Sequence, residues 1–503
     1  MTPIILSTLN ARFIHSALGL RYLYANLREL QTQASIIEYT IDSRPIDIVE
    51  KLLKMKPRIV GFGVYIWNVE QTTYVVSLLK QLSPQTVIVL GGPEVSYEYE
   101  QQSIVGFSDY LITGSADLEF NRLCQSILAG NPPANKIIHA DTPRLEDIKF
   151  PYQYYSRRDI ANRVIYVEAS RGCPFKCEFC LSALDKTAWP FNLDAFLKEL
   201  DELYQRGTRQ FKFVDRTFNL KTDSTIRILE YFLQRLDDEL FLHFELIPDH
   251  LPENLKTVIQ RFPEGSLQFE IGIQTFNPEI QQTISRKQDN RKAIDNIKWL
   301  REETHAHLHT DLIAGLPGET LESFAQGFNQ LVSLRPHEIQ VGILKRLRGT
   351  PIIRHTDEYE MIYNPNPPYN VLSTSSIDFS AMQSISRFAR YWDMIANSGR
   401  FTNTLPLILG NNPFAQFMRL SNWLFQTTEQ THRISLQKLF TLVHEALITV
   451  FEIDQESVAE ALRIDHDRSG LKGLPAFLKN QKPQLSLVNN PRKGSKRQQR
   501  HSP

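Results

Sequence analysis

The stretch Arg163-Val164-Ile165-Tyr166-Val167-Glu168-Ala169-Ser170 runs directly into Arg171-Gly172-Cys173-Pro174-Phe175-Lys176-Cys177-Glu178-Phe179-Cys180. The first eight residues read as a strand, and Gly172 and Pro174 let the following loop curl around a compact object. Three thiols fall within this loop, separated by three and then two residues. Thiolates gathered so tightly call for a soft metal. A structural zinc site takes four ligands in paired knuckles, and no fourth Cys or His follows at a suitable spacing. Ordinary ferredoxin clusters also use four thiolates. Three thiolates are what a 4Fe-4S cluster needs if one iron is to stay open for a ligand.

Outward from this loop, strand signals recur at residues 163–170, 210–215, 241–247, 266–275, 307–316 and 337–345. Segments with helical period lie between them, at 193–206, 222–235 and 291–303 among others. Six strand–helix units without a seventh or eighth predict a partial (β/α)6 barrel of the TIM type, with its chemistry at the strand C-termini. Toward the N-terminus, strands at 3–9, 34–41, 59–67, 86–92 and 109–114 alternate with helices such as 16–31, 69–81 and 117–129. That pattern predicts a five-stranded doubly wound α/β domain with a ligand at the strand C-terminal ends. Residues 131–155 then form a Pro-containing connection. Beyond the breaker-rich Asn364-Pro365-Asn366-Pro367-Pro368 the pattern turns helical, as at 380–398 and 436–451. The expected domains are therefore α/β over 1–145, barrel over 155–360, α-rich over 361–480, and a basic, disordered tail over 481–503.

Lys and Arg together number 56, as do Asp and Glu, so no overall field points to nucleic acid and no acidic excess points to disorder. The run Pro3-Ile4-Ile5-Leu6 is too short for a secretory core, and no stretch approaches the ~18 apolar residues of a membrane span. The chain is expected in the cytoplasm. Four cysteines in 503 residues do not make a disulfide framework. Cys124, inside the amphipathic run Asn121-Arg122-Leu123-Cys124-Gln125, reads as a small core residue.

The C-x3-C-x2-C spacing, the aromatic before the third Cys and the position after a first barrel strand together resemble the radical S-adenosylmethionine superfamily. The resemblance implies a 4Fe-4S cluster held by Cys173, Cys177 and Cys180. Its open iron would chelate S-adenosylmethionine, whose reductive cleavage yields a 5′-deoxyadenosyl radical. It also implies cofactor contacts at matching positions. Phe179 would pack by the adenine. Asp215, in Phe213-Val214-Asp215-Arg216-Thr217, stands where the family often has a Gly-Gly-Glu-type amine-binding turn, here without the glycines. Gln274 and Thr275 end a fourth-strand motif, Ile271-Gly272-Ile273-Gln274-Thr275. Ile313, Gly315 and Glu319 belong to Asp311-Leu312-Ile313-Ala314-Gly315-Leu316-Pro317-Gly318-Glu319, and Val341-Gly342-Ile343-Leu344 offers backbone groups. From the residues alone, Glu245 and Glu270 near strand ends are candidate acid–base groups, with salt-bridged barrel residues as the alternative. His305, His307 and His309 alternate and share a face if the strand is regular, so core, substrate-contact and metal roles stay open.

The N-terminal domain resembles the cobalamin-binding domain of one large branch of that superfamily. Gly91 and Gly92, in Val87-Ile88-Val89-Leu90-Gly91-Gly92-Pro93-Glu94, would let backbone approach a corrin, as would Gly114 in Leu111-Ile112-Thr113-Gly114. Tyr65-Ile66-Trp67-Asn68 would form another edge. The Asp-x-His-x-x-Gly signature is missing, since Phe13 and Leu18 replace its Asp and Gly around His15, which implies a corrin without that axial His. The usual Gly-Glu-Gly-Glu stretch reads Gly114-Ser115-Ala116-Asp117. With runs such as Arg387-Phe388-Ala389-Arg390-Tyr391-Trp392-Asp393 and Asp467-Arg468-Ser469-Gly470-Leu471-Lys472, the three-part order resembles a bacterial family with a C-terminal domain of unknown function. The expected activity is radical chemistry, such as methylation, cyclisation or rearrangement, on an unknown small molecule. It would be assisted by cobalamin and fed by a reductant such as flavodoxin or ferredoxin. The alternatives are a transfer-RNA methylthiotransferase-like enzyme and a non-catalytic iron–sulfur binding or electron-transfer protein.

Overall fold

Apolar runs that leave no polar face are buried on both sides of a sheet, and the first strand, with all seven residues buried, is such a run. The computed structural model describes residues 3–478 and 497–501. Its N-terminal part alternates β1 (Ile4–Asn10), α1 (Leu18–Ala25), β2 (Ala34–Thr40), α2 (Pro45–Lys54), β3 (Ile59–Gly63), α3 (Val69–Leu82), β4 (Val87–Gly91), α4 (Ser103–Phe107), β5 (Tyr110–Gly114), α5 (Glu119–Leu128) and β6 (Ile137–Ala140). The strands lie in the order β2-β1-β3-β4-β5-β6, all parallel. Ile5, Val60, Phe62, Ile88 and Leu90 pack on one face against Val49, Leu52, Val76 and Leu79 of α2 and α3. Ile4, Leu6, Ile59, Val89 and Ile112 pack on the other against Leu20 of α1 and Phe120, Leu123 and Cys124 of α5. Alternate residues of one strand thus feed two cores, which is what double winding means. The sheet has six strands where the sequence pattern predicts five. β6 lies in the expected connection: it is four residues long, half-exposed and at the sheet edge, so it carries no buried periodicity.

The second alternating series runs α6 (Arg157–Asn162), β7 (Ile165–Val167), β8 (Ser170–Arg171), β9 (Trp189–Pro190), α7 (Leu193–Gln205), β10 (Gln210–Phe213), α8 (Thr222–Leu233), β11 (Phe241–Leu246), α9 (Glu253–Ile259), β12 (Leu267–Gln274), α10 (Pro278–Thr283), α11 (Asn290–Glu303), β13 (His307–Ala314), α12 (Leu321–Ser333) and β14 (Glu338–Ile343). Among the described residues the chain then forms β15 (Ile362–Tyr363), β16 (Val371–Ser373) and five helices, α13 (Phe379–Ile395), α14 (Leu405–Leu409), α15 (Pro413–Thr428), α16 (Leu436–Thr449) and α17 (Gln455–Ser469). Two compact units result. One holds the chain up to Phe218 with Lys345–Ile353 and Asn364–Asn370; the other holds Asn219–Leu344, Arg354–Tyr363 and the chain from Val371 onward.

In the first unit β7 and β10 pair in parallel, with Phe211 beside Ile165 and Phe213 beside Val167. In the second, β11, β12, β13 and β14 pair in that order, also parallel. β12 alternates buried Leu267, Phe269, Ile271 and Ile273 with half-buried Gln268, Glu270, Gly272 and Gln274, so one face of this sheet is apolar and the other polar. Tyr391 and Trp392 of α13 are core aromatics. Tyr391 is fully buried, and Trp392 meets Phe328 and Phe417 edge-on at 4.8 and 4.9 Å.

Most of the expected disordered tail, 481–503, lies outside the described residues. Arg497–His501, which are described, depart from it. Gln498–His501 form a 3-10 turn, and Arg497 pairs with Glu338 at 2.8 Å and with Asp393 at 2.7 Å. Among the described residues no helix is long and apolar enough to cross a membrane.

Candidate functional site

The cysteine loop is closed at its base by a two-rung antiparallel ladder, with Ser170 opposite Pro190 and Arg171 opposite Trp189. The expected first strand therefore breaks after Val167. Gly172 turns the chain at φ +91°, where a Cβ would lie 2.6 Å from the Thr187 hydroxyl and 2.8 Å from the Ala188 nitrogen. Only glycine fits there. The Cys173 N–H donates to the Asp185 carbonyl at 2.8 Å, and the Cys180 N–H to the Cys177 carbonyl at 3.1 Å. Cys173 and Cys177 are buried, Cys180 and Phe179 half-buried, and none of the three cysteines is in a disulfide. Burial, with the neighbouring Cys180 and Cys177 thiols, pushes the Cys173 thiol up. Among the described residues no three His, Cys, Asp or Glu side chains converge as a single metal ion would require.

Asp215, just past β10, is buried behind this loop. Its carboxylate accepts from the Ala169 N–H at 3.0 Å and the Ser170 hydroxyl at 2.6 Å. Burial nevertheless holds its pKa up at about 7. Arg171 links the loop to the N-terminal sheet, reaching Asp117 at 3.0 Å and Glu168 at 2.7 Å, with its guanidinium 4.8 Å from the Tyr22 ring centre. No local pattern in the sequence announces this bridge.

In the same unit a cavity of about 290 Å³ opens at the C-terminal ends of β3, β4 and β5, lined by Gly63, Gly91, Gly92, Gly114, Tyr65 and Leu23 among others. Gly92 sits at φ +112°, and a Cβ there would lie 2.4 Å from the Val64 carbonyl oxygen; at Gly114, φ +78°, it would lie 2.7 Å from the Ala140 carbonyl oxygen. These turns stay bare, so a broad flat ligand can lie against backbone. Asn68 knits the rim, donating to the Thr8 hydroxyl and to the Leu9 and Gly63 carbonyls at 3.0–3.2 Å. Tyr65 and Trp67 stack at 4.5 Å. These residues fit a corrin.

In the second unit, Thr275 donates to Glu319 at 2.6 Å. Burial holds the Glu319 pKa up at about 7. Gln274 has φ +69° after a β-bulge, and its Oε1 is buried without a partner. A strained residue with an orphaned polar atom at a strand C-terminus is suited to a polar ligand such as S-adenosylmethionine. Gly315, at φ +84°, has no room for a Cβ, which would meet Val371 at 2.5 Å. Ile313 stands beside Gly342.

Glu245 and Glu270 are register neighbours on the polar face, followed across it by His309 and Glu338. Glu270 is 2.9 Å from His243 Nε2. His305 precedes β13, so only His307 and His309 share its face. Glu338 takes both, with His307 at 3.3 Å and His309 at 3.5 Å. Burial works against charge on His309, but its hydrogen bonds to Asp311 and Glu338 outweigh that and hold its pKa up at about 10. The sequence reading missed Glu338 and His243. Their signal was the polar half of a strand alternation.

Against known families, residues 167–331 match the Radical SAM superfamily, residues 5–123 the B12 binding domain, and residues 357–500 a protein family of unknown function, DUF4080. The chain thus carries a B12-binding domain, a Radical SAM domain and a DUF4080 C-terminal domain in that order. These domains make it an enzyme with a 4Fe-4S cluster, S-adenosylmethionine and cobalamin as cofactors. An uncharacterized methyltransferase, PH0819 of Pyrococcus horikoshii, is 24% identical over 61% of this chain and 70% of its own. The cobalamin-dependent radical SAM methyltransferase TokK of Streptomyces tokunonensis is 24% identical over 58% of this chain, which spans about half of TokK, 47%. The cobalamin-dependent radical enzyme OxsB, solved with aqua-cobalamin, shares the fold with a TM-score of 0.63 at 13% identity, over 92% of this chain and 78% of its own.

Proposed function

We propose that this protein is a cobalamin-assisted radical methyltransferase that acts on an unactivated carbon of a small molecule. The observation that carries the reading is the presence, in one compact unit, of a three-thiol loop closed at its base and a bare glycine cradle at sheet C-termini. The methyltransferase names of PH0819 and TokK favour methyl transfer over cyclisation or rearrangement. When bound, the cluster and S-adenosylmethionine supply a carbon radical and the corrin supplies a methyl group.

The chain's own residues orient these groups. Cys173, Cys177 and Cys180 would hold the cluster, and Phe179 would pack by the adenine. Asp215 would accept from the ammonium; in the second unit, Gln274 and Thr275 would offer contacts to a ribose and carboxylate, and Glu319 to an adenine. Gly91, Gly92 and Gly114 admit the corrin. Glu245 and Glu270, the latter with His243, hold or move a substrate proton. A low-potential reductant of the flavodoxin or ferredoxin type and a cytoplasmic setting complete the reading.

The test is anaerobic reconstitution with iron, sulfide and hydroxocobalamin, followed by reduction with S-adenosylmethionine present. About four irons, one corrin and 5′-deoxyadenosine support the proposal; protein without corrin or without 5′-deoxyadenosine sinks it.

Two narrower outcomes follow. Gly92→Ala puts about 1–3 kcal/mol of strain on the cradle and is expected to weaken corrin binding roughly tenfold in a visible titration. The Asp215 carboxyl is neutral in the fold below about pH 7, and a cation needs it charged. Affinity for S-adenosylmethionine in equilibrium dialysis should therefore rise from pH 6 to pH 8, and Asp215→Asn should flatten that rise.

A further inference from the structure

After β14 the chain leaves the second unit, and Lys345–Ile353 joins the first. There it is fastened at both ends. Arg346 forks the Glu98 carboxylate with two bonds of 3.0 and 2.9 Å. Arg348 donates to Glu94 at 3.0 Å through Nε and to the Tyr369 hydroxyl at 3.1 Å, while that hydroxyl donates to Glu94 at 2.6 Å. The Gly349 N–H adds a bond to Glu98 at 3.3 Å. Gly349, at φ +80°, lies so close to Tyr97 that a Cβ would stand 2.3 Å from the ring. At the far end the Ile352 N–H donates to the Glu178 carbonyl at 3.0 Å.

The two anchor points are not arbitrary. Glu94 directly follows Gly91-Gly92-Pro93, the turn that lines the cavity, and Glu178 lies between Cys177 and Phe179 in the thiol loop. The four steps from Arg348 to Ile352 reach at most about 14 Å when fully extended. Glu94 is 4% exposed, so its bonds to Arg348 and Tyr369 are shielded from water. Two-pronged guanidinium–carboxylate bonds fix orientation as well as distance.

We propose that Lys345–Ile353 is a positioning strap that sets the separation of the corrin cradle from the cluster loop, with Arg346 and Arg348 as its positioning residues. The proposal rests on the cofactor reading above. Two cofactors that act on one substrate must be held to within a fraction of an ångström, since a misplacement of about 1 Å can cost about 10²-fold in rate. A tether of this length, locked at each end, supplies that constraint through residues that need touch neither cofactor.

The test uses the full-length protein reconstituted with iron, sulfide and hydroxocobalamin and then reduced. Pulsed electron paramagnetic resonance reads the separation between the reduced cluster and the corrin in its one-electron-reduced cobalt(II) state. Wild-type protein is expected to give one narrow separation. Arg346→Ala/Arg348→Ala is expected to keep its iron and corrin while the separation shifts or broadens by about 1 Å or more. The exchanged pair Arg346→Glu/Glu98→Arg should restore a narrower distribution than Arg346→Glu alone. An unchanged narrow distribution in the double alanine variant overturns the strap. If that variant does not fold, the charge exchange decides: no recovery relative to Arg346→Glu counts against the strap. Wild-type protein that retains no corrin or cluster refutes the cofactor reading itself, a failure visible before any variant is compared, and the strap falls with it.

Discussion

Cys177→Ala is expected to lower bound iron from about four atoms per chain to below one and to abolish 5′-deoxyadenosine formation. A 4Fe-4S cluster held by three thiolates has none to spare, because two cannot fix a cubane against exchange with solvent thiols. Cys177 is buried and its carbonyl accepts the Cys180 N–H, so the backbone of the loop is shaped independently of the thiol being lost. The turn at Gly172 and the ladder between β8 and β9 also remain. Iron analysis and circular dichroism together separate loss of the cluster from loss of the fold. Cys124→Ala is the control. Burial pushes the Cys124 thiol up to about 12, and it packs between Leu123 and Ile127 beneath the N-terminal sheet. It is a core residue and should leave the iron count unchanged. A fall in iron with Cys124→Ala, or an iron count near eight in the wild type, would favour the methylthiotransferase reading.

What the sequence made legible follows from the range of the forces involved. β1, β3 and β4 announce themselves because continuous β-branched runs buried on both faces have no other use. The thiol loop is legible because ligand spacing is local. β6 was not, since a four-residue edge strand buries too little to leave a period. The ladder of β8 and β9 was hidden because two-residue strands are decided by what closes around them, eighteen or more residues apart. Asn68 shows the same limit within the site: its hold on β1 depends on partners 59 and 60 residues away. The strap is the extreme case. Arg348 meets Glu94 across 254 residues, and Arg348 belongs to no motif. His307 and His309 were legible as a pair on one face, but their partner Glu338 is on the next strand, and without it a core ion cluster and a metal site look alike.

That cluster gives the second large effect. Glu338 is 6% exposed and accepts from His307, His309 and Arg497. Burial disfavours its charge, but the hydrogen bonds from His307 and His309 and the Arg497 charge override that and hold its carboxyl well below the usual range. Glu338→Gln leaves His309 charged and buried with Asp311 alone, and losing one partner of a buried pair costs about 3–5 kcal/mol. His309 can relieve part of this by releasing its proton, so about 3 kcal/mol is expected, read as the opening free energy of β13 and β14 amides in native-state hydrogen exchange. Arg497→Ala removes a partner whose side chain is 38% exposed, and screening holds that loss to about 1 kcal/mol or less.

The pH dependence separates the terms. Because the folded pKa of His309 is raised, its contribution is full below about 6.5 and disappears as pH rises through about 10. Because that of Glu338 is depressed, its contribution is present above about 4.5 and disappears as pH falls below that. Burial lowers the pKa of His307, His337 and His501, which also face this carboxylate, so they add no charge as pH rises from about 6.5 to 10. The difference between wild type and Glu338→Gln should thus be largest near pH 5–6.5 and narrow steadily toward pH 10. A difference that is flat across that range would mean that Glu338 acts by packing, not by charge.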